Sequence, residues 1–421
     1  MKNVLKTLMM MICITMIFQG CSDDDDSIIG SDYITVTAPA TYQFVSRFNA
    51  NESSVDYTGQ VVRNVLIKDL KSLAGTVGTT AATMLDLYTN NDGNGSTASL
   101  LNNTAKTLTN STASTVQTTW ADFGNSSNLS GKVPSDDMIG FGQSPDAQLR
   151  EWFADVEANV NDLHTAGGLE LNQAVGKGLM GLICYYRATS DYLETTKLSG
   201  ADNSEAAVKN GVTKTYTNME HYWDEAFGYF GASRDLTSNS AYTDENLSNK
   251  YVASDADGDG SIDYLDENNF DWVYYAGKWD NKCSACTQDN DFSGTIFNAF
   301  KLGRALISAE APLAQIMEQR DIIVNTWEKL VAASVIGYVN SVQGKMTSGD
   351  DIKHAWSELR AFAMGLQYNV HSTVDYTTIV TSLGITPPVE ADYTTYSATL
   401  DDVKTFLQSS LGFATANMSA W

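Results

Sequence analysis

From Gly59 onward, apolar residues recur every three or four positions, the spacing that gathers them on one face of an α-helix. Val62, Val65, Leu66, Leu70 and Leu73 form the first stripe, and Gly75 stops it. Leu149, Trp152, Phe153, Val156, Val160 and Leu163 form a second. Ser144-Pro145 supplies its N-cap and first-turn proline, and Gly167-Gly168 its stop. Leu171, Val175, Leu179, Leu182 and Ile183 make a third stripe. Val208, Val212, Tyr216, Met219, Trp223, Ala226, Phe227 and Phe230 make a fourth. The same period predicts helices over 294–311, 313–342, 351–371 and 398–412. Strict alternation is confined to Tyr33-Ile-Thr-Val-Thr and Tyr42-Gln-Phe-Val-Ser, which predict an extended lead-in or two short strands. The pattern is that of an all-α protein built from helical bundles. It forms a single large domain over 33–421, whose halves (57–232 and 294–412) are candidates for an internal duplication.

Between the halves, residues 233–293 read as a long insertion, and insertions of that length are usually functional or separately stabilised. Asp255, Asp257 and Asp259 alternate there, Gly260 allows a sharp turn, Ile262 is an apolar anchor, and Asp263 and Asp266 follow. With Ser261 contributing at the seventh position, this spacing folds hard oxygens around one point, as calcium requires. The loop resembles the extracellular calcium loops of dockerins and thrombospondins; the alternative is a solvated acidic loop. Cys283-Ser-Ala-Cys286 closes the insertion. It is half a zinc site, a redox motif or a local disulfide, and no second CxxC or βαβ pattern accompanies it. Cys184, among Leu182, Ile183 and Tyr185, is expected to be a buried thiol.

Composition changes the picture mainly through charge. The 421-residue chain carries 26 Lys and Arg against 51 Asp and Glu, a formal net charge of −25, which excludes binding through a nucleic-acid backbone. At its start, Lys2 and Lys6 precede a short apolar run from Leu8 to Phe18, then Gly20-Cys21. That run is too short to span a bilayer. Residues 1–20 resemble a bacterial lipoprotein signal, with Cys21 the lipidated first residue of the mature chain. Residues 21–32 then form an acidic tether, and Ser22 followed by Asp23, Asp24, Asp25 and Asp26 resembles the surface-export signal of Bacteroidetes lipoproteins. The expected location is the outer membrane, lipid-anchored and facing the exterior.

Four histidines are present. His164 and His371 fall in last turns of helices, where a cation suits the helix dipole. His221 and His354 share a context: His221-Tyr-Trp223-Asp-Glu225 and His354-Ala-Trp356-Ser-Glu358 both read His-x-Trp-x-Glu. Histidine and glutamate four residues apart lie on one helical face. The pairs serve a buried hydrogen-bond network, a metal or haem-iron site, or acid–base catalysis. As remnants of a duplication they would face each other, each imidazole donating to the opposite carboxylate, with Trp223 and Trp356 in the core. No HExxH and no GxSxG elbow is present.

Several phrases together carry a family resemblance: Ser54-Val-Asp-Tyr-Thr-Gly-Gln-Val-Val-Arg63, Gly168-Leu-Glu170-Leu-Asn-Gln173, His221-Tyr-Trp-Asp-Glu-Ala-Phe-Gly228 and His354-Ala-Trp-Ser-Glu-Leu-Arg360. The chain resembles an uncharacterised family of Bacteroidetes surface lipoproteins, distantly imelysin-like. The resemblance implies a helical, duplicated fold and a role in nutrient acquisition. Iron or haem would be the cargo, an outer-membrane receptor the partner. Imelysin-like proteins carry Gly-x-His-x-x-Glu; this chain has His-x-x-x-Glu twice, so their site is not carried over. The expectation is a non-enzymatic surface binding or accessory protein. A calcium-stabilised cell-surface hydrolase and an adhesion or scaffold lipoprotein are the alternatives.

Overall fold

The computed structural model describes residues 33–90, 108, 115–125, 127–159, 161–236 and 255–421. Cys21 and the tether lie outside the described residues. The chain divides into Met1–Tyr33, of which only Tyr33 is described, and Ile34–Trp421.

Among the described residues of the second unit, regular structure is almost all helix. In chain order it contains α1 (Thr58–Ala74), α2 (Ala81–Thr89), α3 (Pro145–Ala158), α4 (Leu171–Leu179) and α5 (Thr195–Ser199). After the strand pair β1 (Val208–Lys209) and β2 (Val212–Thr213) come α6 (Asn218–Phe230), α7 (Asp271–Lys282), α8 (Phe292–Ser308) and α9 (Leu313–Ser348). The last four are α10 (Lys353–Gly365), α11 (Thr377–Ser382), α12 (Tyr393–Leu411) and α13 (Thr415–Ala420). The all-α expectation holds.

Local chemistry sets several boundaries. Ser144 accepts from the Ala147 amide ahead of Pro145, a cap worth about 1 kcal/mol. Thr217 and Glu220 form a reciprocal capping box at the start of α6. α6 therefore begins ten residues after Val208, where the apolar stripe had suggested a start. Val208 and Val212 are exposed and flank an Asn210-Gly211 turn with positive φ at both positions, the turn a two-residue hairpin needs. The lead-in contains no strand, only an isolated Val45–Ser53 bridge. The insertion carries a helix of its own, α7, to which Trp272, Val273, Ala276 and Trp279 give a buried face. Beyond α4 the helix widens into π-helical turns over Met180–Tyr185 and Ala188–Tyr192. Such turns are frequent at functional sites.

α9 is the spine. It packs against α8 and α10, while α4 lies between α1 and α10, and α6 packs on α1 and α8. Among the described helices α9 alone is long and apolar enough to cross a membrane, yet 78 % of its apolar window is buried inside the protein, which makes it a core helix. All eight tryptophans are buried, Trp223 and Trp356 among them. The lead-in is strapped across this core. The Ile34 amide and carbonyl bond the Gln315 side chain, Lys301 donates to the Ala40 carbonyl, and Tyr42 stacks on Phe227 at 3.7 Å.

Candidate functional site

The acidic loop is built from its own backbone. Asp255 accepts from the Gly258 and Gly260 amides, Asp257 from Asp259, and Asp259 from Ser261. These side chains are thereby turned inward from a tight coil, which Gly260 permits at φ +88°. Asp263 accepts from Leu265 and from the Gln117 side chain. The Val116 amide donates to the Ile262 carbonyl, so the apolar anchor ties the loop to a distant segment. The carboxylates that converge are Asp255, Asp257 and Glu267, with one oxygen of each within 4.8 Å of the others. Glu267 takes the place expected of Asp266. A turn in which the Glu267 amide donates to the Asp263 carbonyl folds it back, and its carboxylate accepts from the Ala256, Asp257 and Asp263 amides. Asp266 instead bonds the Arg234 amide through its carbonyl. The loop's seventh residue, Ser261, would offer its backbone carbonyl to a cation, as such loops do.

The two His–Glu pairs form separate centres. His354 Nδ1 contacts Glu170 at 2.6 Å, and its Nε2 lies 3.6 Å from Glu358. Lys177 reaches Glu358 at 2.7 Å and Tyr338 donates to it at 3.1 Å. The hydrogen bond to Glu170 raises the imidazole pKa of His354, which is half-exposed. Burial alone would push Glu358 up, but Lys177 holds its carboxyl below the usual range. His221 Nδ1 takes the Asp56 carbonyl at 3.1 Å while its ring stacks on Tyr216 at 4.5 Å. Its Nε2 lies 3.7 Å from Glu225, which accepts from Gln60 at 3.0 Å and Tyr192 at 3.2 Å. No hydrogen bond or ion pair among the described residues joins one centre to the other, so the expected donation across a twofold axis is not made. The reason is packing: α6 lies on α1 and the second π-helical turn, so His221 and Glu225 meet Asp56, Gln60 and Tyr192, whereas α10 lies on α4 and α9, so His354 and Glu358 meet Glu170, Lys177 and Tyr338.

A third polar cluster lies next to the first turns of α6. Arg304, wholly buried, donates to Asp224 at 2.9 Å, Glu220 at 2.8 Å and Ser54 at 2.8 Å; Tyr42 also donates to Asp224 at 2.7 Å. Asp224, Glu220, Ser54 and Tyr42 are all inside the core, so this network holds the fold. Cys283 and Cys286 are joined as a disulfide just after α7, which leaves neither a zinc half-site nor a free dithiol. Cys184 is a buried thiol whose pKa is raised by burial. His164 pairs with Asp162, beyond the end of α3; His371 takes the Thr189 carbonyl.

Sequence reasoning missed Glu267, Glu170, Lys177, Gln60 and Tyr192. Glu267 could have been found one residue past the expected ligand. Lys177, a charge inside the apolar run of α4, was also visible, since a lysine is almost never buried without an anion.

A family model described as a domain of unknown function, DUF4856, matches residues 39–382. No curated protein and no solved structure matches the chain. The matched span runs from the lead-in to the end of α11 and takes in both His–Glu centres, the acidic loop and the disulfide. The chain belongs to the DUF4856 family.

Proposed function

We propose that this protein is a lipid-anchored component of the bacterial outer membrane, facing outward, and that it serves nutrient uptake by binding rather than by catalysis. A calcium ion would fasten its insertion to its helical body. The observation that carries this reading is the convergence of Asp255, Asp257 and Glu267 in a loop of alternating carboxylates. Carboxylates that close repel one another, and a divalent cation removes that repulsion. The donors are all hard oxygens, the set calcium prefers, and extracellular modules bind it with dissociation constants of about 10⁻⁴–10⁻³ M. Such weak binding suits a permanent role only where calcium is plentiful, which agrees with an exterior location.

The non-enzymatic reading is supported by the histidines. Each contacts a carboxylate or a backbone carbonyl, and among the described residues none lies in hydrogen-bond contact with a serine, threonine or cysteine side chain. Iron or haem is the cargo implied by the Bacteroidetes and imelysin resemblance. Because His221 and His354 occupy separate centres, an iron site would use one of them with its carboxylates, not both as axial ligands.

Calcium should raise the melting temperature of the protein in a saturable way. At a free concentration ten times the dissociation constant the gain is about 1.4 kcal/mol. Glu267→Gln should weaken the response, and chelation should loosen residues 255–267 while the helical circular dichroism persists. Absence of heat on titration with millimolar calcium would remove the metal from the proposal. For the anchor, Cys21→Ala should release the protein into the soluble fraction. Converting Asp23, Asp24, Asp25 and Asp26 to asparagine should keep it lipidated but hide it from protease on intact cells; unchanged cleavage would refute outward export by this signal.

A further inference from the structure

The acidic loop and the lead-in hold one residue between them. After α6 ends at Gly231, the chain leaves the helix through Ser233 and Arg234. The Gly231 carbonyl accepts from the Phe270 amide, and the Ser233 amide donates to the Asn269 side chain, so this exit lies along the segment that follows the loop. At Arg234 both backbone groups are taken. Its amide donates to the Asp266 carbonyl at 2.7 Å, and its carbonyl accepts from the Tyr42 amide at 2.6 Å. Its Nε donates to the Tyr57 hydroxyl at 3.1 Å, with the guanidinium 5.1 Å from the centre of that ring. Lead-in, exit and loop are laced side by side, and Arg234 is the middle member.

The bond from Arg234 enters the loop one peptide group away from a converging carboxylate. The Asp266 carbonyl and the Glu267 amide belong to the same planar unit. That amide donates to the Asp263 carbonyl, while the Glu267 carboxylate closes back on the Ala256, Asp257 and Asp263 amides. Whatever orders the Glu267 side chain therefore also orients the carbonyl that Arg234 uses. The lead-in reaches the same place by a second route. Gln43, next to Tyr42, lines a cavity of about 200 Å³ together with Arg234, Asp257, Asp263, Asp266 and Glu267.

We propose that the lead-in and the acidic loop open as one unit through Arg234, so that a cation which orders the loop also locks the lead-in onto the body. The identity of the cation rests on the calcium reading above; the coupling itself rests on backbone hydrogen bonds. Such coupling is reciprocal and can be no larger than the preference of the metal for the ordered loop. For a chain anchored at Cys21 the consequence is reach. From Cys21 to Ile34 the chain advances thirteen residues, at most about 45 Å at full extension; from Cys21 to Tyr42 it advances twenty-one, at most about 75 Å. External calcium would set how readily the tether passes from the shorter length to the longer.

The test is hydrogen exchange on the full mature chain, resolved to the Tyr42 amide, which makes the bond in question. At a calcium concentration ten times the dissociation constant, exchange at Tyr42 and Arg234 should slow by up to about tenfold, the factor by which the ordered loop is then favoured. Amides of α12, which packs on α9 and α11, should change less. Heat on calcium titration with no slowing at Tyr42, or with equal slowing in α12, would overturn the proposal and leave the metal in place. If calcium gives no heat, the metal reading fails, and Gly260→Val in calcium-free buffer decides the coupling. Gly260 has φ +88°, where a β-branched residue is strained, and an added Cβ meets nothing within 4 Å, so this variant loosens the loop without a clash. Faster exchange at Tyr42 in that variant upholds the coupling; an unchanged rate refutes it.

Discussion

Arg304→Ala is expected to destabilise the protein by about 3–5 kcal/mol, the range for removing one partner of a buried ion pair. Glu220 and Asp224 are both fully buried, and both are held by that one guanidinium. Without it, Asp224 loses its countercharge and Glu220 keeps only Arg47, at 3.4 Å, while both carboxylates keep their desolvation cost. Burial already raises the Asp224 carboxyl pKa, so it would take up a proton first. Urea unfolding followed by circular dichroism measures the loss. Arg150→Ala, which breaks an exposed pair with Asp146 at 2.8 Å, is the comparison and should cost under about 1 kcal/mol. Equal losses in the two variants would sink the argument. A triple variant (Arg304→Met, Glu220→Gln, Asp224→Asn) should recover much of the stability, because the cost lies in the unpaired charge.

The second large effect is steric. A Cβ placed on Gly337 in the middle of α9 would lie 2.2 Å from the Trp279 ring, far inside contact distance. The ring has little room to retreat, because its Nε1 donates at 2.8 Å to Ser334 one turn earlier on α9. Gly337→Ala should therefore cost at least the upper end of the about 1–3 kcal/mol usual for overpacking. Shrinking the partner is the check: Trp279→Leu in the Gly337→Ala background should be much better tolerated than the two single losses added together. Simple additivity of the two would show that the glycine and the indole do not share that space.

Those glycines illustrate what the sequence could and could not tell. At Gly337, and at Gly303, where a Cβ would lie 2.0 Å from the Trp223 ring, nothing in the local sequence reports the indole that must be accommodated. Local signals were legible: the Ser144-Pro145 start, the apolar faces of α1 and α3, and the alternating carboxylates of the acidic loop. Where a capping box or an Asn-Gly turn competed with the apolar stripe, as before α6, the local chemistry won. The missed site residues share a different cause. Glu170 meets His354 from 184 positions away, and Gln60 meets Glu225 from 165. Only the packing of α4 on α10 and of α1 on α6 creates those contacts. The π-helical turns left no mark on the apolar period, which continues through Leu182 and Ile183 without a break.

The strap formed by the lead-in has a mechanical consequence. A load applied through the residues before Ile34 travels along the covalent chain and reaches the paired bonds to Gln315 first, then the single bond from Lys301 to the Ala40 carbonyl. Each is an isolated attachment and should peel in turn at low force. Tyr42 is different: its amide bonds the Arg234 carbonyl, its ring is stacked on Phe227 and its hydroxyl ends on buried Asp224, so three dissimilar attachments must yield together. Pulling from the N-terminus should thus show a compliant first extension of a few residues followed by one high peak at Tyr42. The body of the protein would be shielded from fluctuations in tension that never reach that threshold.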